Sequence, residues 1–265
     1  MDLMQAVSLA VVQGLSEFLP ISSSGHLILV PHFLGWDDQG LAFDVAVHVG
    51  TLAAVLAYFR RQLVAMAVAW MRSLKSFQLD ADSRLAWCVI LGTVPVGLAG
   101  LAFASLIETY LRNPLFVAGT LTVFGLLMWL ADRLGRQQRD EYSLGWREAV
   151  LIGCAQALAL MPGTSRSGIT LTAGLALGLT RSAAARFSFL LAVPGIGMAG
   201  GYELLKLVSG EASVDWGAMA VGMLVAGLTG YACIHLLLKV IERIGLLPFA
   251  LYRFLIAGLI VVSFI

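Results

Sequence analysis

Two short stretches with one pattern decide how this chain folds. The first reads QGLSEFLPISSSG, from Gln13 to Gly25, and the second reads QALALMPGTSRSG, from Gln156 to Gly168. A glutamine, two serines and a closing glycine occupy matching positions without a gap. Both stretches begin in apolar sequence and are then broken by Pro, Ser and Gly. We interpret them as the same turn in two copies of a repeated unit.

The sequence around these turns is typical of a membrane protein. Of the 265 residues, 59% are hydrophobic and 12% charged, and the mean hydropathy is +0.88. Soluble domains carry about 25% charged residues. Uncharged runs such as 85–107 and 217–238 are long enough to cross a hydrocarbon core as helices. The formal net charge of +1 gives no reason to expect nucleic acid as a partner, whereas membrane lipids are expected ones.

The apolar segments predict an all-α polytopic membrane protein with six transmembrane helices and two re-entrant helical hairpins. Non-helical backbone survives at membrane depth only where protein or a water-filled cavity surrounds it, so each broken region is expected to be a hairpin of two half-helices. The hairpins are predicted at 3–34 and 147–178. The crossings are predicted at 41–59, 85–107, 115–131, 187–207, 217–238 and 246–264.

The basic residues predict an inverted repeat. Residues 60–84, 132–147, 180–186 and 239–247 hold thirteen of the 17 lysines and arginines, and the opposite loops hold only Arg112 and Lys206. Basic loops face the cytoplasm. Residues 1–265 then form one membrane domain with a first repeat at 1–131 and a second at 147–265. Three crossings in each repeat invert the second relative to the first, and such repeats place a ligand near the midplane.

The second turn has the residues of an anion site. Pro162 ends one half-helix, and Gly163 allows a tight turn. The next half-helix would begin with free N–H groups that attract phosphate, beside the arginine at position 166. An intramembrane arginine is expected to be functional. The alternative is that Arg166 only forms an ion pair with a carboxylate such as Glu17.

The first turn carries groups suited to catalysis. Gln13 and Glu17 lie one helical turn apart, and Glu17 could bind a divalent metal or activate water. Pro20 ends the half-helix, and the serines at 22, 23 and 24 are candidate caps of the next one. His26 could act as general base or accept the phosphoryl group, and Ser23 is a candidate nucleophile if His26 deprotonates it. The alternative is that the serines only cap and His26 only packs.

Together the two turns indicate a substrate with a phosphate head and an apolar body. Helix N-termini and an arginine would bind the head, and the bilayer would solvate the tail. A polyprenyl diphosphate fits this description.

The same residues carry a family resemblance. QGLSEFLPISSSGH and PGTSRSGIT resemble the two signature stretches of the undecaprenyl-diphosphate phosphatases, the bacterial bacitracin-resistance family, and the likeness extends over nearly the whole chain. The resemblance implies hydrolysis of undecaprenyl diphosphate to undecaprenyl phosphate, which recycles the lipid carrier of peptidoglycan synthesis. It also implies a multi-pass protein of the bacterial inner membrane, a divalent cation (Mg²⁺ or Ca²⁺), and an antibiotic, bacitracin, that acts on the substrate rather than on the protein.

Carried over residue by residue, the resemblance implies a set of site residues. Its acidic pair falls on Gln13 and Glu17, so that Glu17 is the only carboxylate of that pair. The candidate catalytic residues are Glu17, which is also the candidate metal ligand, with Ser23, His26 and Arg166. The candidate substrate-binding residues are Gln13, Ser22, Ser24, Gly163, Thr164, Ser165, Ser167 and Thr170. Whether serine, histidine or metal-bound water attacks phosphorus stays open.

Further predictions concern an alternative function and residues outside the two turns. A carrier or flippase for polyprenyl phosphate would need the same topology and arginine, and it could coexist with hydrolysis. His48 and Asp44 are one turn apart, where a local hydrogen bond is favoured over catalysis. Arg253 is expected to extend toward the lipid headgroups. The glycines between Gly195 and Gly201 permit close helix packing, which leaves a homodimer open.

Overall fold

The chain folds as a bundle of helices. The computed structural model describes residues 1–110, 113–209 and 215–264, and these contain eleven α-helices. They are α1 (Leu3–Ser16), α2 (Ser23–Leu34), α3 (Gly40–Tyr58), α4 (Arg60–Ser76), α5 (Ala81–Tyr110), α6 (Pro114–Leu134), α7 (Trp146–Ala157), α8 (Arg166–Ala176), α9 (Arg181–Ser209), α10 (Trp216–Ile244) and α11 (Leu247–Phe264). Short 3₁₀ turns at Glu141–Ser143 and Leu158–Leu160 precede and follow α7.

The predicted class, an all-α polytopic membrane protein, is confirmed. Five of the helices, α3, α5, α6, α9 and α10, are long and apolar enough to cross a membrane. Each coincides with a predicted crossing. The sixth predicted crossing corresponds to α11, which is apolar but shorter than the other five, so its span stays a prediction.

The prediction of a plain loop at 60–84 is wrong. This region holds α4 and the start of α5, and α4 packs on α5 through Met66, Ala69 and Ser73. The sequence analysis grouped 60–84 with the loops because the segment holds basic residues. The helical spacing of these three buried residues gives α4 one face to bury, and that burial stabilises the helix despite its polar remainder.

Both broken regions form a half-helix, a turn and a second half-helix, as predicted. In the first hairpin α1 and α2 enclose Glu17–Ser22, and in the second α7 and α8 enclose Leu158–Ser165. The residue before the second half-helix has a positive φ in both, 77° at Ser22 and 71° at Ser165. Such values are uncommon for non-glycine residues. The repeat seen in the sequence therefore extends to an unusual backbone conformation.

The two halves of the chain interlock. The first half-helix of each hairpin packs on a long helix of the other half, α1 on α10 and α7 on α5. Both contacts bring backbones together at a glycine. A Cβ on Gly14 would lie 2.8 Å from the carbonyl oxygen of Ala226, and one on Gly153 would lie 2.3 Å from that of Gly92. The helix pairs α3–α9 and α6–α11 also join the halves.

The four basic loops meet at one end of the bundle. Arg181 donates to Asp132 and to the carbonyl oxygen of Glu242, which joins three of the loops. Gln62 donates to the Tyr142 hydroxyl and joins the fourth. The grouping predicted from charge is therefore present, and its cytoplasmic orientation stays a prediction. Arg112, counted for the opposite side, lies outside the described residues, as does the side chain of Lys206.

Candidate active site

An ion pair joins the two hairpins. Arg166 Nη2 donates to Glu17 Oε1 over 2.9 Å, and Arg166 Nη1 donates to the carbonyl oxygen of Ser188 over 3.1 Å. The exposed fraction is 7% for the Glu17 side chain and 15% for that of Arg166. The pairing weighed as an alternative in the sequence is thus present. The pair is largely buried and charge-assisted, and it fixes the guanidinium where the two hairpins meet.

Glu17 is also the acceptor of the first turn. Its Oε2 accepts a hydrogen bond from Ser23 Oγ at 2.6 Å and another from Gln13 Nε2 at 3.1 Å. Glu17 lies at the C-terminal end of α1, and Ser23 begins α2. The turn between them folds the serine hydroxyl back onto the carboxylate. Hydroxyl–carboxylate hydrogen bonds this short are charge-assisted and strong.

The serines of the two turns have related but unequal roles. Ser165 caps α8 by accepting from the Gly168 N–H, whereas Ser22, a candidate cap of α2, makes no capping bond among the described residues. Matched pairs of hydroxyls lie close together in both turns, Ser22 with Ser24 at 3.4 Å and Ser165 with Ser167 at 3.2 Å. The first N–H groups of α2 therefore lack a side-chain cap and are available to an anion.

Three of the predicted binding residues are buried in the second turn and the start of α8. Ser167 donates to the carbonyl oxygen of Leu19 in the other hairpin. The Thr170 hydroxyl lies 2.7 Å from that of Ser188, the residue whose carbonyl holds Arg166. Thr164 is fully buried. Their geometry suits the positioning of the turns, and their contribution to substrate binding stays a prediction.

A cavity of about 350 Å³ opens between the two turns. Glu17, Arg166 and the serines 22, 23, 24 and 165 line its polar side. Leu41, Val45, Val96 and Ile196 line the other side. A cavity with a polar floor and an apolar flank matches an amphiphile with a charged head and a hydrocarbon tail.

His48 also lines this cavity, and the sequence analysis assigned it only a local bond. That bond exists: Nδ1 lies 2.7 Å from the Asp44 carbonyl oxygen, which can only accept, so Nδ1 carries a proton. The other ring nitrogen lies 3.8 Å from Glu17 Oε2. The signal in the sequence was the spacing of Asp44 and His48, which places both on the face of α3 that lines the cavity.

His26 lies apart from the cavity lining. Its Nδ1 is 2.7 Å from the Ser22 carbonyl oxygen, its Nε2 is 2.7 Å from the Tyr252 hydroxyl, and its ring is nearly parallel to that of Tyr252. Ser23, by contrast, donates to Glu17. The structure therefore pairs Ser23 with a carboxylate, while His26 joins the first turn to α11. The catalytic role of His26 stays a prediction.

The expectation that Arg253 extends toward the headgroups is wrong. Its side chain is fully buried and donates to the carbonyl oxygens of Pro20 in the first turn and of Gly163 and Thr164 in the second. Its Nε donates to Leu121 of α6. Turn carbonyls without helical partners need donors inside a membrane protein, and a guanidinium supplies five. Arg253 therefore fastens both turns together.

Gly163 is required where it stands. Its φ is +85°, and a Cβ there would lie 2.3 Å from Thr120 Oγ1. The same Thr120 hydroxyl lies 2.7 Å from the carbonyl oxygen of Pro162, so α6 holds the turn closely. The prediction of a tight turn at this glycine is confirmed.

These features define a class: a polytopic helical membrane protein whose two broken hairpins meet at a largely buried Arg–Glu ion pair beside a cavity lined by serine hydroxyls. Comparison with known proteins identifies the family within that class. Residues 6–259 match the family model described as "Bacitracin resistance protein BacA", and the chain belongs to this family.

Relatives match over their full length. The chain is 57% identical to "Undecaprenyl-diphosphatase 2" of Stutzerimonas stutzeri, with 100% of this chain and 99% of the relative covered. It is 57% identical to "Undecaprenyl-diphosphatase" of Nitrosococcus oceani, over 98% of each chain. It is 53% identical to "Undecaprenyl-diphosphatase" of Thioalkalivibrio sulfidiphilus, over 100% of each.

Proposed function

We propose that this protein is an undecaprenyl-diphosphate phosphatase, a hydrolase that converts undecaprenyl diphosphate to undecaprenyl phosphate and inorganic phosphate. One observation carries the proposal: the Arg166–Glu17–Ser23 hydrogen-bonded chain at the floor of a cavity with an apolar flank. The family and the names of the relatives agree with it. The activity recycles the lipid carrier of peptidoglycan synthesis and confers resistance to bacitracin, which binds the substrate.

Substrate binding begins with an exchange at Arg166. A diphosphate that enters the cavity takes the place of Glu17 on the guanidinium, because phosphate offers Arg166 a more highly charged acceptor. Ser188 keeps the other side of the guanidinium fixed. Ser23 and Ser24, in the first turn of α2, line the same cavity, and the N–H groups of this turn, which Ser22 does not cap, would add backbone donors. Once Arg166 binds the phosphate, the Glu17 carboxylate has lost its ion-pair partner and can act as a base.

The released carboxylate activates an oxygen nucleophile. Glu17 lies 2.6 Å from Ser23 Oγ and accepts the proton of that hydroxyl, or of a water in its place, as the oxygen attacks the terminal phosphorus. The bond between this phosphorus and the bridging oxygen breaks, and the lipid monophosphate leaves. Where water attacks, inorganic phosphate forms directly; where Ser23 attacks, a water that gives its proton to Glu17 then hydrolyses the phosphoserine, which releases inorganic phosphate and restores the Ser23 hydroxyl. Arg166 offsets the charge that develops on the phosphate oxygens.

A divalent cation fits the residues present. The carboxylates of Glu17 and Asp44 line one cavity with several serine hydroxyls, and Mg²⁺ and Ca²⁺ prefer such oxygen donors. The buried Gln13 Oε1, beside Glu17, has no hydrogen-bond partner among the described residues and is a further candidate oxygen ligand for the cation. The cation would neutralise charge on the phosphate oxygens. We assign Glu17 as its principal ligand.

The proposed location is the bacterial inner membrane, where the polyprenyl carrier is used. The helices make the protein multi-pass. The lipid tail requires an apolar surface beside the site, and Leu41, Val45, Val96 and Ile196 in the cavity lining are suited to contact it.

The first test is phosphate release from farnesyl diphosphate by purified protein in detergent, with magnesium or calcium and without either. We expect cation-dependent release, and we expect Arg166→Ala to lower its rate by about three orders of magnitude, since removal of one charge-stabilising donor costs ~10²–10³. Arg243→Ala, at an exposed site on α10, is the matched control. Normal release by folded Arg166→Ala would refute the assignment of the phosphate cradle.

A second test separates the two roles of Glu17. Glu17→Gln keeps the shape of the side chain but removes the base and the anionic ligand, so activity should fall by at least ~10²-fold. The magnesium concentration for half-maximal rate should also rise. Full activity with an unchanged magnesium response would show that Glu17 has neither role.

The carrier for polyprenyl phosphate remains the alternative. It would use Arg166 and the cavity but would have no need of the short Ser23–Glu17 bond. Folded wild-type protein that releases no phosphate, yet moves labelled polyprenyl phosphate across vesicles, would establish the carrier instead.

A further inference from the structure

A second cavity lies at the end of the bundle where the basic loops meet. It has a volume of about 470 Å³ and is lined by Arg60, Arg61, Arg186, Tyr58, Tyr231 and His235. We name it the basic-end cavity. It shares no lining residue with the cavity of the candidate active site. Four helices supply its walls: α3, α4, α9 and α10.

The two cavities are separated along α3 and by an aromatic wall. Tyr58 follows His48 on α3 by about 15 Å, at ~1.5 Å rise per residue. Between the cavities lie Phe18, Phe59 and Phe189, all nearly or fully buried. The rings of Phe18 and Phe189 pack edge to face at 5.4 Å, and Phe59 packs on Phe189 at 6.4 Å. Phe18 directly follows Glu17, and Phe59 lines the basic-end cavity, so the three packed rings connect the neighbourhood of one cavity to the lining of the other.

The charge of the basic-end cavity is strongly one-sided. Three arginines line it and no carboxylate does, among the residues the structure describes. Glu141 lies close enough to interact with Arg186: burial raises the pKa of that carboxyl, and Arg186 opposes the rise. Three guanidinium groups without paired carboxylates around one cavity create a field that attracts a multiply charged anion.

A helix N-terminus adds to this field. α4 begins at Arg60, and the preceding Phe59 offers no side-chain cap within the described part of the chain. The first N–H groups of α4 therefore remain as donors beside the cavity, although the carbonyl end of α3, to which Arg60 donates at Ala57, adjoins them and offsets part of their charge. Guanidinium groups and free backbone N–H groups at one helix start form the combination that binds phosphate.

An apolar track leads away from the cavity along the outside of α10. Tyr231 is exposed, and Leu228 and Leu224 follow one and two helical turns further on, with exposed fractions of 64% and 63%. Leu236, beside His235, is exposed as well. A ligand whose headgroup sits among the arginines would thus lay a hydrocarbon tail on these side chains.

We propose that the basic-end cavity is a second phosphate-binding site, which takes a phosphate monoester such as the headgroup of a prenyl monophosphate. Inorganic phosphate shares the recognised chemistry, and the apolar track favours the lipid. The inference does not depend on hydrolysis at the first site, because no residue of that site takes part. It supplies a place for a monophosphate at the basic end of the bundle, apart from the place where the diphosphate binds.

Binding of farnesyl phosphate to protein in neutral phosphatidylcholine nanodiscs tests the proposal. Arg166→Ala removes the first site, so binding that persists in this variant reports the second. We expect that residual affinity to fall about tenfold, the equivalent of one lost charge-assisted contact, when Arg61→Gln or Arg186→Gln is added. Arg72→Gln, on α4 but outside the cavity, is the matched control.

Competition identifies the ligand. If inorganic phosphate displaces farnesyl phosphate at similar concentrations, the site recognises free phosphate; if it does so only in large excess, the site takes the lipid. Either result supports the phosphate site. Arg61→Gln alone, at an exposed position, should keep the wild-type rate of hydrolysis and so demonstrate intact folding. Loss of all binding in Arg166→Ala, or residual binding indifferent to Arg61 and Arg186, would overturn the proposal.

Discussion

At the scale of single residues, buried arginines organise this protein in two ways. Arg166 has a carboxylate partner, whereas the partners of Arg253 within the described part of the chain are backbone carbonyls. The first arrangement leaves a charge ready for a ligand. The second fixes the chain segments that hold it, because the five donors of a guanidinium reach both turns at once.

Arg253→Met should lower both the stability and the activity of the protein, although Arg253 does not line the cavity. The substitution keeps an apolar stem but leaves the carbonyls of Pro20, Gly163 and Thr164 without their donor, at a cost of ~3 kcal/mol or more. Thermal unfolding in detergent should shift downward. Hydrolysis should fall by ~10²-fold, because small displacements of a cradle are costly.

The Arg253 prediction has internal controls. Arg253→Lys retains the charge but not the fork of donors, so it should behave nearly as badly. Arg243→Met, on an exposed arginine, should behave as wild type. An Arg253→Met protein with wild-type stability and rate would mean that the carbonyls find other donors.

Residue roles were only partly predictable from sequence. Glu17, Ser23 and Arg166 could be grouped because the repeat places them on matching turns. Arg253 could not be assigned to the site in this way, since its position near a helix start in an apolar sequence also fits a headgroup contact. The sequence also did not show that His48 lines the cavity and His26 does not, because which helix face meets the cavity is a tertiary property.

At the scale of elements, the two hairpins depend on glycines that bring helix backbones together. The α1–α10 contact centres on Gly14 and the α7–α5 contact on Gly153. Lipid tails are as apolar as the helix surfaces, so no hydrophobic force drives helices together inside a bilayer. Close packing of this kind therefore contributes much of their association.

Gly14→Ala should therefore weaken the first hairpin. A Cβ there would meet Thr229 Oγ1, the Ala226 carbonyl oxygen and the Gly230 N–H, all within 3 Å, and two of these are backbone atoms. Overpacking costs ~1–3 kcal/mol. Gly119→Ala on α6 is the control, since its Cβ would have open space. Equal thermal stability of the two variants in detergent would show that the α1–α10 contact can widen.

Long apolar helices and broken hairpins could be predicted from sequence, while α4 could not. Length and hydropathy identify a crossing without knowledge of its neighbours. α4 is stabilised by burial of one face against α5, and its basic residues resemble those of a loop. The positive φ at Ser22 and Ser165 was equally hidden, because that conformation is usually given to glycine.

At the scale of the whole molecule, the four basic loops form one end of the bundle. The sequence predicts that this end faces the cytoplasm and that the 36–40 turn faces outward. The inverted arrangement follows if both hold, since each hairpin then enters from its own side of the membrane.

Cysteine labelling tests this orientation. With Cys88, Cys154 and Cys233 replaced, Asp38→Cys should react with a membrane-impermeant maleimide in intact spheroplasts, and Gln78→Cys should react only after lysis. Both positions are exposed, so the difference reports sidedness. Reaction of Gln78→Cys in intact spheroplasts would reverse the orientation and assign the basic-end cavity to the outer face.

The contacts of Arg253 also set an order of events during synthesis. α11 follows every other helix along this chain, so both turns leave the ribosome before the side chain that joins them. Until α11 inserts, the carbonyls of Pro20, Gly163 and Thr164 lack this donor, and the two turns are joined by the Arg166–Glu17 and Ser167–Leu19 contacts without it. The complete set of links between the turns therefore requires α11, and a nascent chain that stalls before it lacks a side chain that donates to both turns at once.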